Sequence, residues 1–263
     1  MMSLFLQGLL AAFALCATGV LQLRAFRQGK ILDVTALITG SIGLGLTAVL
    51  VISGLNENGG RPTTGLMGSM LGALLLMIVL GSSLRHPVNS LLIGVAPLTG
   101  IFAVITALVT PSNSNVPPLN IEAVSHVAAS IVAYGSVAYA GTLAVLLSWQ
   151  NAKLKERPLK PLIAAMPPID AMSYLFLRTV QVAWLMLTIS LITGVAYIED
   201  FWAQHLAHKT VLSVFAWCGM GLALWQHFQK GGVTQTMRKT SIAAAVMLFI
   251  GYIGSKAIME FIL

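Results

Sequence analysis

The 263 residues are 57% apolar and only 9% charged, with a mean hydropathy of +0.87. A soluble domain carries about 25% charged residues, so this composition excludes a globule solvated by water and points to lipid as the solvent. The net charge of +7 does not indicate nucleic acid, because the bases sit in short patches between apolar runs, which is the orientation signal of a membrane protein.

A bilayer core of about 30 Å takes roughly 20 apolar residues per helix. Apolar runs occur near 4–23, 32–53, 65–83, 90–109, 126–149, 173–198, 208–228 and 240–263. They predict an all-α, polytopic membrane bundle of about eight transmembrane helices. The first run lacks a basic n-region and its following flank is basic, which fits a retained span better than a cleaved signal peptide. Leu15 before Cys16 is a poor lipoprotein processing site, and the two cysteines, Cys16 and Cys218, are expected as small buried hydrophobes.

The connections alternate in charge. Arg24, Arg27 and Lys30 follow the first run, Arg85 the third, Lys153, Lys155, Arg157 and Lys160 the fifth, and Lys230, Arg238 and Lys239 the seventh. An excess of Lys and Arg marks the cytoplasmic side, so both termini are expected outside, on the periplasmic face. The longest connection, 151–172, carries Pro158, Pro161, Pro167 and Pro168 and falls inside. Small residues such as Gly40, Gly43 and Gly45, or Ser130, Gly135 and Gly141, permit close helix contact. No internal repeat argues for an inverted-repeat transporter.

An ionisable side chain is costly in lipid, so each one in a span is a candidate functional residue. These are His126, Arg178, His208, His227, Lys256 and Glu260. His126 opens the fifth run and shares a helix face with Ser130 and Tyr134, at i+4 and i+8. His205 and His208 are expected near the same membrane face. Neutral imidazole suits iron, copper or zinc; interfacial hydrogen bonding is the alternative. His227 lies nineteen residues beyond His208, roughly 29 Å along a helix, so one ligand cluster cannot include both. Arg178, on the inner side, suits an anionic carboxylate, or else snorkels to headgroups or pairs with Asp170. Lys256 and Glu260, one turn apart, suit a mutual pair. No nucleophile elbow, P-loop, H-E-x-x-H or paired catalytic carboxylate occurs.

From residue 126 onward several short stretches recur in order: HVAASIVAYGSVAYAG at 126–141, TG at 193–194, HKTVLSVFAW at 208–217, LWQHFQ at 224–229 and YIGSK at 252–256. Through them the chain resembles the cytochrome c assembly protein family of haem-handling membrane proteins. MPP at 166–168 and the length are similar to its small HemX-like and YpjD-like inner-membrane branch. The resemblance implies a haem cofactor. His126 matches the external histidine that is an axial haem ligand in haem-exporting members, and His227 the histidine that ligates haem within the membrane. The tryptophan-rich haem-binding motif is reduced here to Asp200-Phe201-Trp202, and the synthases' second external histidine has no match. His208 or His205 is our candidate for that missing ligand.

The expectation is therefore a non-enzymatic, haem-binding accessory protein of the bacterial inner membrane. Residues 1–125 would form four helices of uncertain role and residues 126–263 the assembly-like region. Haem iron would be ligated by His126 and His227, with His208 as a further ligand and Arg178 or Lys256 at the propionates. Membrane lipids, haem and another inner-membrane protein are the expected partners, and nucleic acid is not. A structural subunit without haem, and more weakly a small-molecule or ion transporter, are the alternative readings.

Overall fold

Hydrocarbon offers a backbone no hydrogen-bond partner, so a lipid-solvated chain closes its bonds within each segment. The apolar runs accordingly fold as helices in a computed structural model that describes residues 2–30, 33–60, 63–86, 88–108, 121–154, 168–197 and 204–254. In chain order these are α1 (Met2–Arg27), α2 (Val34–Glu57), α3 (Thr64–Ser83), α4 (Leu92–Leu108), α5 (Ile121–Lys153), α6 (Ile169–Tyr197), α7 (Gln204–Lys230) and α8 (Gln235–Phe249). A 3-10 turn (Asn89–Leu91) leads into α4, and one π turn (Ile250–Gly254) extends α8. Among the described residues, seven helical stretches are long and apolar enough to cross a membrane. The eighth helix is described as far as Gly254, and the rest of its expected run lies outside the described residues.

Polar residues place the helix starts. Asp33 caps α2 by accepting from the Thr35 amide at 2.9 Å. The Thr35 hydroxyl also donates to it, and holds this carboxyl below its ordinary pKa. Thr63 caps α3 through the Leu66 amide and Thr234 caps α8 through the Met237 amide. Each cap satisfies an amide that has no partner inside its helix. Buried hydroxyls along the spans bond back to their own helix, as Thr47 does to Gly43 and Thr99 to Val95.

The chain falls into two compact units, one built from α1–α4 and the other from α5–α8. In the first, neighbouring helices run antiparallel. Thr18 of α1 bonds Thr39 of α2 at 3.0 Å, and Ser69 of α3 bonds Thr106 of α4 at 2.8 Å. Leu4, Ala11, Leu50 and Ala103 form a buried cluster with Leu46 against it. Pro97 inside α4 leaves the Ile93 carbonyl without its helical donor. Gly19 of α1 packs there, where a Cβ would lie 2.6 Å from the Pro97 ring and 3.4 Å from that carbonyl.

Cys16 and Cys218 are both exposed, contrary to the expected burial. An outward face in lipid is itself an apolar environment, so a small hydrophobe gains nothing by turning inward.

Glycine sets the separation of α3 and α4. A Cβ on Gly65 would stand 2.6 Å from the Thr106 amide nitrogen and 2.7 Å from its Cα, whereas one on Gly45 would meet nothing within 4 Å. Backbone cannot swing aside, so Gly65→Ala is expected to cost about 1–3 kcal/mol as overpacking. Gly45→Ala is expected to be neutral or slightly stabilising. Thermal unfolding of the two variants in detergent checks the contrast.

Candidate functional site

The second unit carries His126 and His227. Side-chain contacts fix the levels of its helices. His126 Nδ1 of α5 lies 3.1 Å from Thr193 Oγ1 of α6, and one turn on Ser130 bonds Ser190 at 2.9 Å. The α5–α6 pair is therefore antiparallel. Trp217 of α7 donates its indole N–H to Thr188 Oγ1 at 2.7 Å, and Trp184 donates to the Trp217 carbonyl at 3.2 Å. Their rings stack at 5.6 Å and 15°. Gly221 leaves room for this, since a Cβ there would be 3.0 Å from the Trp184 Nε1. α6 and α7 are thus antiparallel as well, and α5 and α7 run parallel.

The Tyr134 and Ser213 hydroxyls, 3.1 Å apart, set α5 against α7. Tyr252, in the π turn, meets the Tyr134 ring edge-on at 5.1 Å and 82°. Its buried hydroxyl has no hydrogen-bond partner among the described residues. From the Tyr134–Ser213 level, His126 lies eight residues one way and His227 fourteen the other. At about 1.5 Å per residue the two histidines are ~33 Å apart along the bundle. They belong to two places.

His126 is half-buried at the first place. Its ring lies over Gly194, where a Cβ would approach Cε1 to 3.0 Å. The Thr193 hydroxyl donates to the Ser190 carbonyl at 3.0 Å. Ser130 Oγ is 3.4 Å from His126 Nε2, a long contact beside its 2.9 Å bond to Ser190. The i+4 face predicted for His126 and Ser130 is thus the face turned to α6.

His227 sits in the last turn of α7, with Nδ1 2.6 Å from the Gly232 carbonyl. Gly231 and Gly232 have φ of 70° and 69°, a left-handed path that side chains disfavour. That path turns the chain back over the helix end. A carbonyl only accepts, so Nδ1 is the nitrogen that carries the proton, and in the neutral imidazole Nε2 keeps its lone pair.

The α6–α7 register brings Arg178 to the depth of His227. Its guanidinium is nevertheless exposed and held on its own helix. Nε donates to the Tyr174 hydroxyl at 3.2 Å, Nη1 to Gln181 Oε1 at 3.4 Å, and the group lies 5.3 Å from the Tyr174 ring centroid. Asp170 is not its partner. Residue 208 is helical in α7, one turn deeper than the level of His126, while residue 205 is at that level. The side chains of His205 and His208 lie outside the described residues, as do Lys256 and Glu260. Among the described residues no three His, Cys, Asp or Glu gather as a metal-binding group. The donor set present, single imidazoles at two levels, fits a macrocycle that brings most of its own iron ligands.

Sequence reasoning missed Thr193, Gly194, Ser190 and Gly232. The TG pair at 193–194 was visible as a motif, yet only the α5–α6 pairing gives it a partner. A larger residue at 194 would compete with the imidazole for space. Gly194→Leu is expected to lower stability by about 1–3 kcal/mol, read as a fall in the detergent melting temperature that Val195→Leu, on the exposed face, does not produce.

Comparison with known proteins adds a family. The family described as Cytochrome C assembly protein matches residues 4–263, all four helices of the first unit included. The Inner membrane protein YpjD of Escherichia coli (strain K12) is 28% identical over 137 residues, 52% of either chain. An uncharacterized 28.8 kDa protein of Azospirillum brasilense is 26% identical over 140 residues, again 52% of each. The aligned stretch thus spans about half the length of the curated relatives it matches. No solved structure matches the chain.

Proposed function

The chain belongs to the cytochrome c assembly protein family, and on that premise we propose that it is a haem-holding accessory protein of the bacterial inner membrane. Its membrane-spanning helices and the printed name of its Escherichia coli relative, an inner membrane protein, support that location. The protein holds or passes on haem without transforming it.

One observation carries this reading. His126 is a half-buried imidazole seated in a notch that Gly194 leaves open, and among the described residues its Nε2 has a single contact, at 3.4 Å. An imidazole held in this way fits haem iron. Bound haem would supply an iron centre able to take an imidazole nitrogen. His126 would ligate at one end of the second unit and His227 at the other, each Nε2 acting alone. Arg178, at the depth of His227, would offer its N–H groups to a propionate by leaving Tyr174 and Gln181. His208 and Lys256, whose side chains lie outside the described residues, would be a further iron ligand and a further propionate partner.

The test is an absorption spectrum of the detergent-purified full chain, with and without added haem. A Soret band is expected that His126→Ala weakens strongly, with a separable loss in His227→Ala. A protein that stays colourless with haem, and that co-purifies in fixed ratio with another membrane protein, would overturn the reading in favour of a structural subunit.

A further inference from the structure

The hydroxyl of Thr193 has one proton, and the Ser190 carbonyl 3.0 Å away can only accept, so that proton is donated along the helix. What Thr193 Oγ1 presents to His126 Nδ1, 3.1 Å away, is then a lone pair. A neutral imidazole carries one N–H, so this contact draws the proton to Nδ1. The other nitrogen, Nε2, keeps its lone pair. Its neighbour Ser130 is 3.4 Å off and is itself bonded to Ser190 at 2.9 Å.

We infer that Thr193 is a positioning residue for His126, holding its imidazole as the Nδ1–H form so that Nε2 is the nitrogen offered to a ligand. The inference deepens the proposed function and rests on it for the identity of that ligand, haem iron. Three features make the arrangement a built one. Thr193 and Ser190 lie one turn apart on α6, so a single helix supplies both the accepting oxygen and the carbonyl that orients it. Gly194 follows Thr193 directly and clears the space into which the ring edge fits. His227 reaches the same form by an independent route, through the Gly232 carbonyl at 2.6 Å. Both histidines therefore tie down Nδ1 and release Nε2, using oxygen acceptors of different origin. An acceptor on the far nitrogen orients a ligating histidine and raises its basicity. Thr193 acts on iron only through His126.

The test separates this inference from the haem reading. Nitrogen-15 spectra of histidine-labelled full chain in detergent, with the His126 signal assigned by its loss in His126→Ala, report the tautomer without any haem. Wild type is expected to show the Nδ1–H form. Thr193→Val, close in size but with no acceptor, is expected to lose that preference, and Thr193→Ser to restore it. Haem titration into the same proteins is expected to show binding at the His126 site weakened roughly 10- to 100-fold in Thr193→Val. The midpoint potential of the bound iron should move positive, because a less basic imidazole stabilises the ferric state less. Melting temperatures should remain close to wild type. An Nε2–H signal in wild type, or a Thr193→Val variant equal to wild type in tautomer, affinity and potential, overturns the inference. If no haem binds through His126 while the tautomer follows Thr193, the haem reading falls and the positioning role of Thr193 stands.

Discussion

In lipid the exclusion of water does not drive one apolar helix against another, so their relative depth and rotation depend on close contact and a few directional bonds. Among α5, α6 and α7 that burden falls on Ser130–Ser190, Tyr134–Ser213 and Trp217–Thr188. Each is a single bond worth about 1 kcal/mol. Their effect on register is larger than their energy suggests, because sliding one helix by a turn breaks several at once. The positions of His126 and His227 follow from these bonds.

Glycine works with them. Gly65 lets α3 touch the α4 backbone, Gly194 admits an imidazole, and Gly221 admits an indole. A small residue in these helices is defined by what lies opposite it, and that partner comes from another helix. Gly45, by contrast, faces open space. The sequence shows the glycines alike, and packing tells them apart.

The helices among the described residues were legible because a 20-residue apolar run folds as a helix in a bilayer. Helix starts were less so: α5 begins five residues before its apolar run, since the Ile121–Ser125 stretch, with Glu122 and Ser125 in it, continues the helix outward. The face shared by His126, Ser130 and Tyr134 followed from the helical repeat alone. That this face turns to Thr193 and Ser190 did not, because the pairing joins residues 60 or more positions apart. The surroundings of Arg178 were open for the same reason. Tyr174 and Gln181 stand at helical spacing from it, yet spacing does not decide between them and Asp170.

The Gly231–Gly232 turn bears on how His227 behaves when something binds it. A side chain at a helix end ordinarily samples several orientations, and a ligand must first select one, losing rotational freedom as it does so. Here the loop carbonyl has already made that selection during folding. The imidazole is pre-organised, and the turn between α7 and α8 becomes part of its electronic environment. Any event that reshapes this polar turn, such as a headgroup settling on Lys230 or a neighbouring protein displacing Gly232, would change the donor strength of His227 without touching it. The turn therefore orients the imidazole as well as joining the two helices.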